Sequence, residues 1–344
     1  MIQVARDLDK VIAAVQYGRN FTRIYKKMTL AKKLDKTFSG LQKTLKQSLT
    51  LRGIGLHSGK SVEMTIHPAM ANSGITFVRT DLPGHPEISA STDNVFSSRL
   101  CTVLRNDSAS VRTVEHLLSS LYGLGVDNAQ VCVNSEELPI LDGSAMPYVA
   151  ALQDVGLREL PMGRAFFKVR RDMEVRDGVR YIKIRPSWQL RIDCTVDFHH
   201  PLVNNQNLVF NAGVSQFVKN IAPARTFGFL KDVKTLRKEG MAKGGTLQNA
   251  IVIDRFAILN PGGLRFADEF VRHKILDILG DLALLGHPLM GEIEASRSGH
   301  ELHHKLIRKL VATRGCLEKV QVGLDGQTVE PADQGLVEPG LQSA

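Results

Sequence analysis

The chain contains 344 residues, of which 43% are hydrophobic and 23% are charged, a composition typical of a globular protein with room for two ordinary domains or one large one. No apolar run approaches the roughly 18–20 residues that a membrane-spanning helix requires, so none is predicted. The formal net charge is +9, but residues 1–50 alone contain eleven Lys or Arg against three Asp. Because the excess charge lies in one terminal segment, the composition does not predict a nucleic-acid-binding face.

The cysteines show neither a C-x-x-C spacing nor the pattern of a disulfide framework. This usage is typical of a reducing cytosol and argues against a thiolate zinc site. We therefore expect a cytoplasmic protein. The four positions are Cys101, Cys132, Cys194 and Cys316.

The N-terminal segment, residues 1–43, alternates short apolar stretches with Arg and Lys. Three interpretations stay open: a start placed too early, with Met28 as the alternative, a flexible basic arm, or a targeting presequence. A presequence is Arg-rich and poor in acids, and this segment is only partly so. We favour a dispensable, flexible extension of a bacterial chain.

Two stretches of alternating apolar and polar residues, Ser48–Ile54 and Val62–His67, predict strands joined by the turn at 55–60. The turn ends in Gly-Lys-Ser, as a phosphate-binding loop does. However, Ile54 stands where that motif needs its first glycine, and a strand follows where the motif needs a helix. The segment is therefore predicted to be a β-hairpin, and His57 at its tip is expected to be a surface residue.

A helix predicted at Arg112–Leu121 carries Glu115 and His116 next to each other. Adjacent side chains on a helix diverge by about 100°, so they cannot grip one ion symmetrically. One can bind a metal while the other acts as general base on the attacking water. Taken alone, such a pair is more often an ordinary surface pair.

A second functional helix is predicted at Asp268–Asp281. His273 and Asp277 lie four residues apart on one face, and Asp281 lies one turn further on. An imidazole and a carboxylate at this spacing can converge on one divalent metal, although an exposed polar face is the commoner meaning. A third ligand must come from elsewhere in the chain.

Each half of the chain runs through strands, a helix with polar groups, a further strand and a second helix; the last helix is predicted at Glu301–Val311. This recurrence predicts an α+β fold of two related α/β sandwich domains with their helical layers facing each other. We place domain I at 44–162 and domain II at 163–313. Residues 314–344, rich in Gly, Pro and acidic residues, are expected to form a flexible tail.

Six long sequence blocks connect these elements with a known family. The chain resembles the UDP-3-O-acyl-N-acetylglucosamine deacetylases of lipid A biosynthesis from about Thr44 to Ala312, and so many blocks in order make chance matching negligible. The blocks are GIGLHSGK at 53–60, TVEHLLSSLYGLGVDN at 113–128, PILDGSAMPY at 139–148, ARTFGF at 224–229, GLRFADEFVRHKILDILGDLALLGH at 263–287 and SGHELHHKLIRKL at 298–310.

The resemblance implies one catalytic zinc ion between the two helical layers, bound by His116, His273 and Asp277, with water in the open fourth position. Iron(II) is a rival to zinc for such a ligand set. The implied reaction is hydrolysis of the 2-acetamido group of UDP-3-O-(3-hydroxyacyl)-N-acetylglucosamine to acetate and a free amine. Glu115 would take the proton from the attacking water.

The resemblance also implies how the oxyanion would be stabilised. The hydroxyl of Thr226 and a protonated His300 would donate to it, and Asp281 would keep His300 charged and oriented. Whether Glu115 or His300 protonates the departing amine stays open.

Four further residues would bind the substrate on the basis of the resemblance. Lys274 and Arg297 would meet the nucleotide diphosphate, while Phe198 and Phe227 would cover the sugar and uracil side.

The sequence departs from the family pattern at three places, the first of which is Arg297, where a Lys is common in relatives. The segment 227–245 matches the insert that forms a passage for the 3-O-acyl chain, and Ala242 and Lys243 stand there where Cys and Leu are frequent. This leaves the preferred acyl length open. His303 and His304 stand where two Asn are usual, and we interpret them as solvent-facing residues rather than as a second metal contact.

Two alternative functions remain at this point. One is a zinc amidohydrolase of the same fold with a different acyl-sugar substrate, and the other is a non-catalytic homologue that serves as a binding module. In the leading interpretation the partner is a small UDP-acyl-sugar, with no nucleic acid. We expect a monomer that makes transient contact with the inner membrane surface.

Overall fold

The computed structural model describes residues 40–198, 200–322 and 328–329. Within these residues the chain forms six α-helices: α1 (Glu115–Leu124), α2 (Met146–Val155), α3 (Val214–Asn220), α4 (Leu230–Lys238), α5 (Glu269–Leu282) and α6 (His300–Ala312). Two short 3-10 helices lie at Thr92–Asn94 and Ala283–Leu285.

The strands of the first half are β1 (Leu41–Leu45), β2 (Leu49–Ile54), β3 (Ser61–Pro68), β4 (Ile75–Arg79), β5 (Glu87–Ser89), β6 (Val95–Ser97), β7 (Val103–Arg105), β8 (Ser110–Arg112), β9 (Ala129–Val133) and β10 (Leu157–Gly163). Those of the second half are β11 (Ala165–Val169), β12 (Met173–Asp177), β13 (Arg180–Arg185), β14 (Arg191–Val196), β15 (Gln206–Asn211), β16 (Phe227–Phe229), β17 (Ile251–Ile253), β18 (Leu289–Met290), β19 (Glu292–Ser296), β20 (Leu317–Val322) and β21 (Thr328–Val329).

The two halves repeat one sheet topology. The first half contains a five-stranded sheet in the order β2-β3-β9-β4-β5, and the second half contains one in the order β12-β13-β19-β14-β15. In each sheet the central strand comes last in sequence, pairs antiparallel with one hairpin and runs parallel to the first strand of the other. The predicted α+β class is confirmed, and the repeat agrees with two related units.

The strands follow from the period-2 pattern of their side chains. In β3 the apolar residues Val62, Met64 and Ile66 are buried, while the intervening Ser61 and Glu63 are exposed. Such alternation places one face of an antiparallel strand against the core and leaves the other in water. The second sheet packs against α5 and α6, and α2 packs against β2 of the first sheet.

Helix α5 lies at the centre of the molecule. It packs against α1 on one side and against β14 and β15 on the other, so nearly all of its residues are buried. The sequence predicts burial of only one side, because the polar residues of the other side look solvent-facing in isolation.

The two central helices approach each other most closely at Gly280. A Cβ atom built on this residue would lie 2.2 Å from the carbonyl oxygen of Glu115. Only a glycine permits this distance, since a methyl group would overlap with the backbone of α1. The close approach brings the first turn of α1 against α5.

We expect Gly280→Ala to destabilise the fold by roughly 1–3 kcal/mol, the usual range for overpacking a core, and to lower the metal content by moving Glu115 and its neighbour away from α5. Thermal unfolding and metal analysis would measure both effects. Gly262→Ala is the matched control, because a Cβ there meets no atom within 4 Å. Unfolding temperature and metal content equal to those of the control would contradict the packing argument.

Both predicted flexible segments need correction at their inner ends. Strand β1 begins at Leu41, inside the segment 1–43, and pairs with β10. Strand β20 lies inside the segment 314–344 and pairs with β11, so the ordered chain extends to at least Val322. The sequence does not predict these two strands, because their short apolar alternations lie in segments whose overall composition is basic or rich in Gly and Pro. Residues 1–39, 323–327 and 330–344 lie outside the described residues.

Two other expectations differ from the structure. The apolar run Ala-Ile-Leu at 257–259 favours a strand, but residues 257–260 contribute only an isolated bridge between Ile253 and Ile258. Helices α3 and α4 were not predicted, because both are short and α4 buries none of its side chains. Among the described helices, none is both long and apolar enough to cross a membrane.

Candidate active site

Three helices bring their polar residues to one place in the interior. The N-terminal turn of α1 supplies Glu115 and His116, α5 supplies His273 and Asp277, and α6 begins with His300. One potential ligand atom from each of His116, His273 and Asp277 lies within 4.8 Å of the others. Residues 157 positions apart in the chain therefore meet as the ligand hypothesis predicts.

The loop before α1 is held by a carboxylate that the sequence interpretation missed. Glu137 accepts hydrogen bonds from the hydroxyl of Thr113 at 3.0 Å and from the backbone N–H groups of His57 and Ser58 at 2.8 and 2.7 Å. Thr113 has a φ of 58°, in the left-handed region. The hydrogen bonds to Glu137 connect this strained residue, which lies just before α1, with the β2–β3 turn.

His273 is oriented for ligation by the backbone. Its Nδ1 lies 3.1 Å from the carbonyl oxygen of Ala224, which assigns the proton to Nδ1 and leaves a lone pair on Nε2. Nε2 lies 3.4 Å from a carboxylate oxygen of Asp277. The ring of His116 stands edge-on to that of His273, with centroids 5.0 Å apart.

The protonation states of the three side chains suit a metal ion. Burial, together with the nearby His273, lowers the pKa of His116 to about 3, and burial also lowers the pKa of His273. Burial opposes ionisation of Asp277, but Lys274 and His273 nevertheless hold its pKa well below the usual value. Two neutral imidazoles and a carboxylate are the form in which these groups bind metals.

A further observation supports a metal-binding role. The Nδ1 atom of His116 is buried and has no hydrogen-bond partner within the part of the chain that the structure describes. Buried polar atoms are normally paired. An imidazole with a free buried nitrogen, beside a second imidazole and a carboxylate, fits a divalent metal better than it fits a core histidine.

Glu115 is buried beside the three candidate ligands, where the surface-pair alternative would have left it exposed. Burial raises the pKa of its carboxyl to about 7 against the opposing effect of His300, whose Nε2 lies 3.9 Å away. The backbone N–H of Thr102 donates to the other carboxyl oxygen at 3.1 Å. A carboxyl group that faces the site and has a pKa close to 7 has the properties of a general base.

Asp281 lies at the centre of a second, adjacent cluster. One of its oxygens accepts from Nδ1 of His300 and from Nδ1 of His303, each at 2.7 Å, and the other accepts from the hydroxyl of Thr102 at 2.7 Å. Nε2 of His304 lies 3.2 Å from that second oxygen. Burial opposes the charged form of His300, but the Asp281 carboxylate nevertheless raises the pKa of His300 to about 9.

The expectation that His303 and His304 face solvent is wrong. Both are 2% exposed, and both contact Asp281. They lie three and four positions after His300, on the face of α6 that also carries the buried Ile307. The periodicity of α6 could have revealed this placement.

A cavity of about 620 Å³ opens onto the three candidate ligands. It is lined by the predicted oxyanion donor Thr226 and by all four predicted substrate-binding residues, Lys274, Arg297, Phe198 and Phe227. The two phenyl rings form an edge-on pair with centroids 5.4 Å apart. Aromatic and cationic groups in one cavity suit a ligand with apolar and anionic parts.

Both predicted diphosphate cations already have carboxylate partners. The ammonium group of Lys274 lies 2.7 Å from Oδ2 of Asp277, whereas His273 lies beside Oδ1. Arg297 forms an ion pair with Asp197. Burial opposes the charged form of Lys274, but Asp277 raises its pKa. Lys274 therefore also stabilises a candidate ligand in its ionised form.

The expectation for His57 is also wrong. This residue is 6% exposed, lines the same cavity and has a pKa lowered by burial. The segment that includes Lys243 packs against it, because the backbone N–H of Lys243 donates to the His57 carbonyl at 3.1 Å. Among the described residues that line the cavity, neither Ala242 nor Lys243 occurs.

The site lies between two related α/β units and contains a buried pair of imidazoles, two carboxylates and a cationic histidine. This set of groups is typical of the metal-dependent hydrolases. Comparison with known proteins narrows this class. A family model described as UDP-3-O-acyl N-acetylglycosamine deacetylase (LpxC) matches residues 42–312. The chain belongs to this family of deacetylases.

Individual relatives agree over nearly their whole length. A UDP-3-O-acyl-N-acetylglucosamine deacetylase of Myxococcus xanthus is 46% identical over 279 residues, which cover 81% of this chain and 89% of that protein. Proteins of the same name from Pseudoalteromonas atlantica and an Anaeromyxobacter species are 45% and 46% identical, over 81% and 83% of this chain and 93% of each relative.

Proposed function

We propose that this chain hydrolyses the 2-acetamido group of UDP-3-O-(3-hydroxyacyl)-N-acetylglucosamine, the committed step of lipid A biosynthesis, at the site described above. The observation that carries the proposal is the convergence of His116, His273 and Asp277 with the buried Glu115 in one cavity. Family membership supports the reaction class, and the cavity supports a substrate with apolar and anionic parts.

His116, His273 and Asp277 would hold one divalent ion, which we propose to be Zn²⁺; Fe²⁺ suits the same ligands. When bound, the ion supplies Lewis acidity, which polarises the amide carbonyl and lowers the pKa of the attacking water. Ala224 keeps His273 in the ligating tautomer, and Lys274 keeps Asp277 ionised.

Glu115 accepts the proton of the attacking water. The hydroxyl of Thr226 and the imidazolium of His300 then donate hydrogen bonds to the oxyanion that develops on the amide oxygen. Asp281 keeps His300 charged and turned toward the cavity. Proton delivery to the departing amine falls to Glu115 or His300, which both line the cavity beside the candidate metal ligands.

Substrate binding is proposed for the rest of the cavity. Lys274 and Arg297 would meet the diphosphate, since an arriving phosphate can share the cations with their present carboxylate partners. Phe198 and Phe227 would cover the sugar and uracil, and the inner face of α4 would contact the acyl chain. We further propose a cytoplasmic monomer whose two domains divide near residue 163 and which touches the inner membrane surface.

The role of Asp281 predicts a pH effect. Activity that needs the protonated form of His300 is present below its pKa, about 9, and is lost as the pH rises through that value. We expect Asp281→Asn to move this alkaline limb down from about 9, because burial then lowers the pKa of the imidazole against only the smaller raising effects of Asp277 and Glu115. The pH profile of kcat/KM would measure the shift.

Asp154→Asn on the exposed side of α2 is the control for this profile, and both variants must carry the metal content of the wild-type protein. An alkaline limb at the wild-type position in Asp281→Asn would refute the assignment of that limb to His300.

Acetate release from the acylated UDP-sugar tests the function itself. We expect release by the purified chain to stop after chelation and to return when Zn²⁺ is restored. A folded, zinc-loaded chain that releases no acetate from this substrate, but does so from another acyl-sugar, would favour the altered-substrate alternative. Absence of release from every acyl-sugar would favour a binding module.

A further inference from the structure

Helix α4 has two different faces. Asp232 and Leu236 line the active-site cavity, whereas the opposite face is open to solvent. A 100° step per residue separates these two faces by about half a turn of the helix. The outer face forms a shallow groove with two apolar and three basic side chains: Leu230, Val233, Lys234, Arg237 and Lys238.

An exposed turn lies beside the start of this helix. Strands β16 and β17 are parallel, and their last paired residues are Phe229 and Ile253. Leu230, the first residue of α4, and Asp254 therefore leave the same edge of this small sheet. The turn that follows Asp254 and the helix that begins at Leu230 therefore start beside each other.

The residues that follow form a tight turn. The backbone N–H of Asp254 donates to the carbonyl of Ala257 at 2.8 Å, which places Arg255 and Phe256 at the two central positions. Phe256 is 77% exposed, and the guanidinium of Arg255 lies 5.0 Å from its ring centre. An aromatic side chain so far from the core contributes nothing to folding that a polar residue could not.

The outer face of α4 together with Arg255 and Phe256, here called the outer patch, carries unneutralised positive charge. Within the described residues, Lys234, Arg237 and Lys238 form no ion pair. Glu239, which follows the helix, is paired with Arg99 at 2.6 Å. Two acids are nearby, but one of them, Asp232, faces the cavity and the other, Asp254, lies at the base of the turn.

We propose that the outer patch docks on the surface of a membrane that contains anionic lipids. A short amphipathic helix with Lys and Arg beside an apolar strip, next to an exposed aromatic ring, is the composition of an interfacial membrane contact. The basic side chains match anionic headgroups, and Leu230, Val233 and Phe256 enter the boundary below them. A polyanion such as RNA would match the charge but would leave the two aliphatic side chains without apolar partners.

This contact gives the proposed membrane encounter a definite orientation. The helix that touches the lipid is also a wall of the cavity, so an acylated substrate leaving the lipid reaches the site across a single helix. The inference rests on the proposed function only for the acylated nature of that substrate. Vesicle binding is measured without turnover, so the result tests the membrane contact independently of deacetylation.

The test compares the full chain with two double variants of equal charge change. Lys234→Glu with Lys238→Glu alters the outer patch, whereas Arg185→Glu with Lys219→Glu alters exposed basic residues elsewhere. Both keep the basic segment 1–39, so their difference reports on the patch alone. Since each basic residue near an anionic surface contributes about fivefold in partitioning, we expect vesicles of phosphatidylglycerol and phosphatidylethanolamine to bind the patch variant at least roughly 30-fold more weakly.

A second measurement reports on the apolar part. Phe256→Trp in a Trp188→Phe background places the only tryptophan of the chain at the turn. We expect its emission to shift to the blue with anionic vesicles and to stay unshifted with phosphatidylcholine vesicles. Thermal unfolding checks that every variant is folded.

Three outcomes would overturn the proposal: equal vesicle binding by the two double variants, an unshifted tryptophan, or binding that is the same with neutral and anionic lipid. Patch-dependent binding to RNA without binding to vesicles would identify the patch as a nucleic-acid surface and would equally overturn it.

Discussion

Glu115→Gln is expected to keep its full metal content and to lose about 10²–10⁴-fold in kcat, the contribution typical of a positioned general base. Glutamine has nearly the shape of glutamate, so it can still accept the hydrogen bond from the backbone of Thr102, but it cannot accept the proton of the attacking water. The substitution also removes a buried carboxyl group whose pKa is raised to about 7 by its burial. We therefore expect no loss of stability.

Metal analysis and steady-state kinetics of the same preparation would test this expectation. Glu63→Gln, on an exposed position of β3, controls for the loss of one negative charge. Wild-type turnover by Glu115→Gln would show that another group takes the proton. Loss of metal together with activity would instead place Glu115 among the ligands.

His273→Ala is expected to lower metal affinity by at least about 100-fold, because even the partners that orient metal ligands contribute 10–100-fold. The substitution removes one of three candidate ligands and also breaks the hydrogen bond to Ala224. Activity at limiting metal should fall in parallel with occupancy. Equilibrium dialysis and metal analysis would measure the affinity directly.

His67→Ala serves as the control, since His67 lies on β3 and bonds only to the exposed Ser48 in the described structure. Full metal occupancy of His273→Ala at limiting metal would remove His273 from the ligand set. Partial recovery of activity with added metal would support the assignment, because it separates weakened binding from misfolding.

Local periodicity predicts the elements that carry the site well. The pattern of α5 places His273, Asp277 and Asp281 on one stripe, and the structure has all three within the helix. The two strands predicted at Ser48–Ile54 and Val62–His67 agree with β2 and β3 within one residue at each end, because each has one buried face. In these segments the pattern needs nothing from elsewhere in the chain.

Local periodicity does not predict contacts between segments that are distant in the sequence. Glu137 and His57 are 80 positions apart, and nothing local marks the carboxylate that holds the turn. Similarly, the burial of Glu115 depends on Gly280 in the other half of the chain. His303 and His304 form a different case: their spacing from His300 was informative, but an imidazole pair in a helix rich in charged residues resembles a solvated face.

The repeated sheet topology has an evolutionary consequence. One unit supplies His116 with Glu115, and the other supplies His273 with Asp277, so a single copy of the repeat holds too few ligands for an ion. The arrangement is the one expected if two copies of such a unit, first paired as a homodimer, were joined and then diverged, which would place the proposed catalysis at the interface between them. The proposed chemistry would then depend on the pairing, and selection on either half would have to preserve its fit to the other.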